Sequence, residues 1–254
     1  MNNKYYIVSI ILFVVLLWAG NFVAIAYLVR ELDAFTALTL RFITVTILLC
    51  PFLFKIPNLK DFSFLVLATL CLAPGHFGLL FLSIEQTKSV GGISILIQLS
   101  IPFSILFAWI FYRDTPSIQR VIGLIIAFAG IVFLLYDPSL FESRNAFLIA
   151  IASAFFMGLY FVVVKKIKNM RSMEIIAWSS FLAIPMMYVL MTSNNQSFTQ
   201  VLNINLTTTY YAFFYTVIFS SILGHGLWAY LIKTQDISFI SPFLLLVPML
   251  AVVL

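Results

Sequence analysis

Gly75-His76-Phe77-Gly78 and Gly224-His225-Gly226-Leu227-Trp228 hold the only two histidines of a 254-residue chain, 149 residues apart. Each lies in an apolar run that ends at a short polar break, Thr87-Lys88 in the first copy and Gln235-Asp236 in the second. A further apolar run follows each break and carries a proline, at Ile101-Pro102 and at Val247-Pro248. A unit that recurs once at this period, in so apolar a chain, predicts a membrane transporter made of two structural repeats.

Composition points the same way. Hydrophobic residues make up 63% of the chain and charged residues 9%, against about 25% charged in a soluble domain. A soluble protein of this length could not hide so much apolar surface, so the expected solvent is the lipid bilayer. The net charge of +5 does not indicate a nucleic-acid partner, because the basic residues sit in short loops between apolar runs. Cys50 and Cys71 fall inside apolar runs, which excludes a disulfide framework in the loops. The first apolar run, Tyr5–Val29, exceeds the roughly 7–15 residues of a signal-peptide core and is expected to be a retained first span.

A spanning helix needs about 20 mostly apolar residues. That rule predicts eight full spans and one partial span: Tyr5–Val29, Ala34–Phe54, Phe62–Ile84, Val90–Tyr112, Gln119–Tyr136, Ala146–Val164, Met173–Met191, Thr208–Ile232 and Ser238–Leu254. With the N-terminus in the cytoplasm, the inside loops carry Lys4, Lys55, Lys60, Arg113, Arg120, Lys165, Lys166, Lys168, Arg171 and Lys233. The outside loops carry Arg30, Lys88 and Arg144. This positive-inside bias predicts a multi-pass membrane protein with a cytoplasmic N-terminus.

The repeat extends beyond the histidines. Span one reads Trp18-Ala19-Gly20-Asn21-Phe22 and span six reads Phe156-Met157-Gly158-Leu159-Tyr160, and each glycine is followed ten positions later by a base, Arg30 or Lys168. Spans one to four therefore match spans six to nine. An odd number of spans per repeat makes the second repeat enter the membrane from the other side, so the topology is inverted. The expected fold is all-α, with residues 1–136 as the first repeat (helices one to five) and residues 137–254 as the second (helices six to nine). A tenth helix is expected in a complete version, since about nine of ten are present.

Several of these stretches resemble the EamA-type branch of the drug/metabolite transporter superfamily. They are Trp18-Ala19-Gly20-Asn21-Phe22, Leu40-Arg41-Phe42 in span two, and Pro116, Gln119 and Gly123 at the entry to span five. Gly224-His225-Gly226-Leu227-Trp228, with Ser241-Pro242 and Leu246-Val247-Pro248, is most similar to the amino-acid exporters of that family, notably the O-acetylserine/cysteine exporter type. The resemblance implies ten helices in two inverted repeats of five, a central cavity and export of small metabolites. At both cavity-depth polar positions this chain has histidine, where that exporter type tends to have other polar or aromatic residues.

The candidate substrate-binding residues are Trp18, Asn21, Arg41, His76, Ser94, Gln98, Phe156, Tyr160, His225 and Trp228. His76 and His225 are ionisable groups at membrane depth, of the residue type whose unperturbed pKa lies near neutral, so they either line the substrate path or bond a neighbouring helix. Arg41 lies seven residues into span two, about 10 Å deep. It is positioned to hold a substrate carboxylate, to snorkel outward or to bond carbonyls of a broken helix. Trp18 and Asn21 share a face at i, i+3, and Ser94 and Gln98 share one at i, i+4. Those faces are expected toward a cavity or another helix rather than lipid. Phe156, Tyr160 and Trp228 are aromatic candidates. Gly91-Gly92, Pro102, Gly224, Gly226, Pro242 and Pro248 soften spans three, four, eight and nine, either beside the binding site or for close packing. Gly123, Ala127 and Gly130 on span five read as a packing face.

The spans show no Asp or Glu, which argues against a carboxylate proton relay. No phosphate-cradling G-x-x-x-x-G-K-[ST] loop and no cluster with metal-ligand spacing occurs, so neither a cofactor nor a metal is expected. The reading is a secondary transporter, not an enzyme, that exports small polar metabolites, amino acids or derivatives, by alternating access. Facilitated diffusion and proton coupling through the histidines are both left open, as is a homo-oligomer. The alternative is a membrane-embedded transferase or lipid-modifying enzyme.

Overall fold

The computed structural model describes residues 4–87, 89–134, 144–204 and 207–253. Lys88 and the ends of the expected fifth and ninth spans at Tyr136 and Leu254 lie outside the described residues. The chain is an all-α polytopic membrane protein, and no strand occurs among the described residues. Its helices are α1 (Lys4–Leu28), α2 (Ala34–Leu48), α3 (Leu59–Glu85), α4 (Val90–Tyr112), α5 (Ile118–Leu134), α6 (Arg144–Lys166), α7 (Ser172–Ser193), α8 (Thr207–Thr234) and α9 (Ile237–Ala251). Six of them, α1, α3, α4, α6, α7 and α8, are long and apolar enough to cross a membrane, and α2, α5 and α9 are shorter apolar helices.

Two expectations are corrected. Span two is not one helix from Ala34 to Phe54: α2 has 15 residues, and Cys50–Phe54 is a separate turn of 3₁₀ helix. Pro51, at the start of that turn, cannot donate a helical hydrogen bond and so marks the break. The spans are also not free of acid, because Glu174 sits fully buried in the first turn of α7. It accepts hydrogen bonds from the Arg171 backbone N–H and Nε and from Lys55 Nζ. It therefore closes a helix end, where orphan N–H groups favour a carboxylate, and does not stand at mid-depth.

Local chemistry sets several other boundaries. Asn58 caps α3 by accepting the Asp61 N–H at 2.9 Å, and Ser89 caps α4 by accepting the Gly92 N–H at 3.1 Å. Helix α4 stops where Arg113 enters the left-handed region at φ 55°.

The main packed pairs between the two repeats are kept when the repeats are exchanged. Helix α1 packs on α8 and α9, and correspondingly α6 packs on α3 and α4; α2 packs on α7, its own counterpart. This is the pattern of a pseudo-two-fold axis passing by α2 and α7, with successive helices reversing so that the repeats are inverted.

The irregular turns repeat as well. In α3 the segment Cys71–Gly78 is π-helical, and in α8 so is Thr216–His225, so both histidines sit in widened turns. Helix α4 breaks between Ile97 and Ser100, and α9 narrows to 3₁₀ helix over Ser241–Leu245. In a regular α-helix Pro102 would clash with the carbonyl of Gln98 four residues back, and Pro248 with that of Leu244, so each break falls beside its proline.

The outer surface is apolar, as lipid contact requires: Phe13, Leu16, Trp109, Ile125, Phe133 and Phe214 are among its exposed large side chains. Gly123, Ala127 and Gly130 on α5 border an apolar groove of about 680 Å³ facing Phe239, Pro242, Leu246 and Met249 of α9. A β-carbon on Gly123 or Gly130 would meet nothing within 4 Å, so this small-residue face is not closed by a neighbour among the described residues.

Candidate functional site

The two histidine-bearing helices meet the facing repeat through equivalent contacts. A β-carbon on Gly224, next to His225, would stand 2.6 Å from Trp18 Nε1; one on Gly75, next to His76, would stand 2.7 Å from Phe156 Cγ. Trp18 and Phe156 open the two Trp/Phe-x-Gly segments recognised in the sequence. Only glycine lets an aromatic ring lie this close to a helix backbone, and the contact brings both histidines toward the molecular centre.

A small cavity of about 50 Å³ lies there. Helix α1 supplies Trp18, Asn21 and Phe22; α3 supplies His76, Phe77 and Leu80; α8 supplies Ser220 and His225. The broken segments of α4 and α9 complete it with Ile97, Gln98, Ser100, Leu244 and Val247, and α6 adds Met157. Both repeats therefore contribute to the wall. The volume holds a few water molecules and is well below the ~300–1,000 Å³ of ligand pockets, so the walls must part before a metabolite can enter.

The two histidines are held differently. Ser153 Oγ on α6 lies 2.9 Å from His76 Nδ1 and also donates to the His76 carbonyl at 2.9 Å. His225 Nδ1 has no hydrogen-bond partner among the described residues. The position matching Ser153 in the first repeat is Val15, since each lies three residues before Trp18 or Phe156. Rings surround His225 instead: Trp18 at 4.8 Å, Phe77 at 5.2 Å and Tyr160 at 6.4 Å between centroids.

Of the ten candidate residues, the cavity wall brings together Trp18, Asn21, His76, Gln98 and His225. Trp228 and Tyr160 form a second layer: Trp228 packs on Trp18 at 5.4 Å, and Tyr160 stands beside His225. Phe156 is taken up by the contact with Gly75. Ser94 lines a separate cavity with Tyr27, Arg30 and Gly91, and its hydroxyl donates to the Gly91 carbonyl. Arg41 is buried behind the wall, touching its members Phe77 and Ser220.

Sequence reasoning passed over Phe77, Ser153 and Ser220. Ser220-Ser221 was the available signal, a polar pair one turn before His225. Ser153 carried no such mark, because its partner lies 77 residues away.

Nine buried side-chain polar atoms lack a hydrogen-bond partner among the described residues, and six belong to this region: Trp18 Nε1, Asn21 Oδ1, Arg41 Nη1, Tyr160 Oη, His225 Nδ1 and Trp228 Nε1. Buried polar groups are ordinarily paired, so such a concentration is a feature in need of a cause. No group of three or more His, Cys, Asp or Glu residues that could hold a metal gathers among the described residues.

Both membrane faces carry ties between the repeats. On the lysine-rich face, Asp61 at the start of α3 accepts the Lys168 and Asn169 N–H groups of the α6–α7 loop, at 3.1 and 3.0 Å. On the other face, Asp33 in the α1–α2 loop donates its N–H to Gln200 of the α7–α8 loop at 3.0 Å and accepts from the same side chain; Gln196 accepts the Phe35 N–H at 3.0 Å. Exchanging the repeats turns one pair of loops into the other.

Inverted repeats around a central cavity walled by both define a membrane carrier. The model of the EamA-like transporter family matches residues 6–136 and 144–254, and the chain belongs to that family. It is a multi-pass membrane transporter. It is similar to an uncharacterized transporter of Archaeoglobus fulgidus, 24% identical over 98% of this chain and 87% of that one. It is also similar to proteins named probable amino-acid metabolite efflux pump: that of Salmonella typhimurium is 25% identical and that of Escherichia coli 24%, each over 93% of this chain and 81% of the relative. Among solved structures, one crystal structure superposes with a TM-score of 0.78 at 14% identity, covering 99% of this chain and 87% of its own, which is a likeness of fold.

Proposed function

We propose that this transporter exports small polar metabolites, amino acids or close derivatives, by alternating access across a bacterial inner membrane. Residues 1–136 and 137–254 are the two repeats that move against each other. The observation that carries the reading is the cluster of unpartnered polar atoms around Trp18, Asn21 and His225, in a cavity shared by both repeats. A polar solute would supply the missing hydrogen bonds, and an apolar one would leave them unmade. The matched loop ties on opposite faces support alternating access, because each can open while the other holds. The similarity to proteins named amino-acid metabolite efflux pumps supports the substrate class. The excess of Lys and Arg on one face supports a cytoplasmic N-terminus.

The test is counterflow of labelled cysteine and O-acetylserine into proteoliposomes holding the purified chain. Saturable uptake that depends on unlabelled solute inside is expected. No counterflow by well-folded protein, or conversion of the solute or of lipid to a new product, would overturn the reading, and conversion would point to a membrane-embedded enzyme. Repeating the assay with an imposed pH gradient separates facilitated diffusion from proton coupling.

A further inference from the structure

Arg41 is buried to 1% exposure in the middle of a helix that packs on the opposite repeat. Its Nε donates to Ser221 Oγ at 2.7 Å and its Nη2 to Ser220 Oγ at 3.4 Å, and its guanidinium carbon lies 4.2 Å over the Phe77 ring. All three contacts are neutral. No carboxylate lies within 4.0 Å of it among the described residues, and Nη1 has no partner. A guanidinium cannot shed its proton at any physiological pH, so this is a permanent buried cation without an anion.

The fold does not require it. Arg41 is seven residues beyond the first residue of α2, and seven residues beyond the first residue of α7, the counterpart helix, stands Ser179. A small neutral side chain therefore suffices at the equivalent place in the other repeat. Snorkelling is excluded by the burial, and the guanidinium bonds hydroxyls rather than the carbonyls of a broken helix. Two of its three contacts, Phe77 and Ser220, are cavity-wall residues, so one layer of side chains separates Nη1 from the solute space.

We propose that Arg41 is the anchor for a carboxylate on the transported solute, and that a free carboxylate is a requirement of the substrate class. This rests on the reading of the central cavity as the solute site. When the walls part, Phe77 and Ser220 separate and the fork of Arg41 receives the anion; Nη1 gains its missing acceptor and the Ser220 hydroxyl turns to donate, while Ser221 keeps its bond to the Thr216 carbonyl. A planar bidentate guanidinium matches a carboxylate better than it matches a spherical inorganic anion. The faces of Trp18, Phe22 and Phe77 are then left for the rest of the solute, an ammonium group included.

Intrinsic tryptophan fluorescence of the purified chain tests this without a transport step, since Trp18 lines the cavity and Trp228 packs on it. The probes are cysteine, cysteine methyl ester and cysteamine, which share thiol and amine and differ in the free carboxylate; glutamate and lactate extend the series of acids. Loss of a charge-assisted bond corresponds to roughly ten- to a hundred-fold in affinity. Wild-type protein is expected to bind cysteine at least about ten-fold more tightly than the ester or the amine. Arg41→Gln is expected to remove that preference, and Arg41→Lys to keep part of it. Equal binding of cysteine and cysteamine by wild type overturns the proposal with no variant needed. So does an undiminished preference in folded Arg41→Gln protein, or no response to any of the acids. A saturable response to chloride alone, in sulfate medium, overturns it in favour of an inorganic anion. Acid-selective binding without counterflow removes only the transport reading; counterflow indifferent to the carboxylate removes only the role of Arg41.

Discussion

Trp18 and Gly224 meet so closely that a β-carbon on the glycine would lie 2.6 Å from the indole nitrogen, and Phe156 and Gly75 stand in the same relation at 2.7 Å. These contacts seat each histidine-bearing helix on the facing repeat. Alanine at either glycine must displace a ring in a packed core, at a cost of about 1–3 kcal/mol. Gly75→Ala is expected to be the worse, because the Phe156 Cβ and the Leu70 carbonyl are also within 3.0 Å. Thermal unfolding in detergent should show both variants melting several degrees lower. Gly91→Ala, which meets nothing within 4 Å, should melt as wild type does. Unchanged melting of Gly75→Ala would refute the contact.

Ser153 gives His76 a hydroxyl partner that Val15 does not give His225. Ser153→Val removes that hydroxyl and leaves His76 Nδ1 only the residue-153 backbone carbonyl, 3.3 Å away, so it should destabilise the protein by about 1 kcal/mol. Val15→Ser places a hydroxyl at the matching position and should recover part of that loss when combined with it. Denaturant melts of the single and double variants measure both effects, and a loss of stability in the Val15→Ser single variant would sink the symmetry argument.

Asp61 ties the loops of the lysine-rich face, and Gln200 those of the other. Removing one tie should raise the population open on that side alone. With Ser220→Cys as a reporter in the cavity wall and the free Cys50 and Cys71 replaced by serine, Asp61→Ala is expected to speed labelling by an impermeant maleimide from the lysine-rich face, and Gln200→Ala from the opposite face. Equal rates from both faces in both variants would show that the ties do not gate the cavity.

Glu174 and Lys55 form an ion pair of unequal partners, since the lysine side chain is 52% exposed and the carboxylate is fully buried. Lys55→Ala should cost at most about 1 kcal/mol, as for an exposed partner. Glu174→Ala should cost more, about 1–2 kcal/mol, because it removes the acceptor of the Arg171 N–H at the start of α7, while the exposed Arg171 guanidinium turns to solvent. Melting temperatures of the two variants give the comparison; similar losses would contradict it.

Much of the architecture was legible in the residues. The recurrence of Gly-His, the two aromatic-x-Gly-x-aromatic segments and the apolar run lengths predicted inverted repeats before any contact was known. Five of the ten candidate site residues reach the cavity wall, and these are residues marked by a rare polar group or by the repeat itself. Phe156 and Trp228 could not be told from wall residues, because an aromatic packed on glycine and an aromatic facing a cavity follow the same helical spacing. The end of α2 was missed because apolar residues continue through Cys50–Phe54, and hydropathy does not register the proline that ends the α-helix there.

That the chain is helical, lives in lipid and is built twice over follows from hydrophobicity and periodicity along one dimension. Packing in three dimensions settled that Ser153 holds His76 while His225 Nδ1 is left without a partner among the described residues, and that Arg41 is buried with no carboxylate beside it among them. It also decided that Asp33 and Asp61 tie opposite faces. Those facts depend on which side chains meet across 77 to 180 residues of chain, and no local pattern encodes a partner that far away.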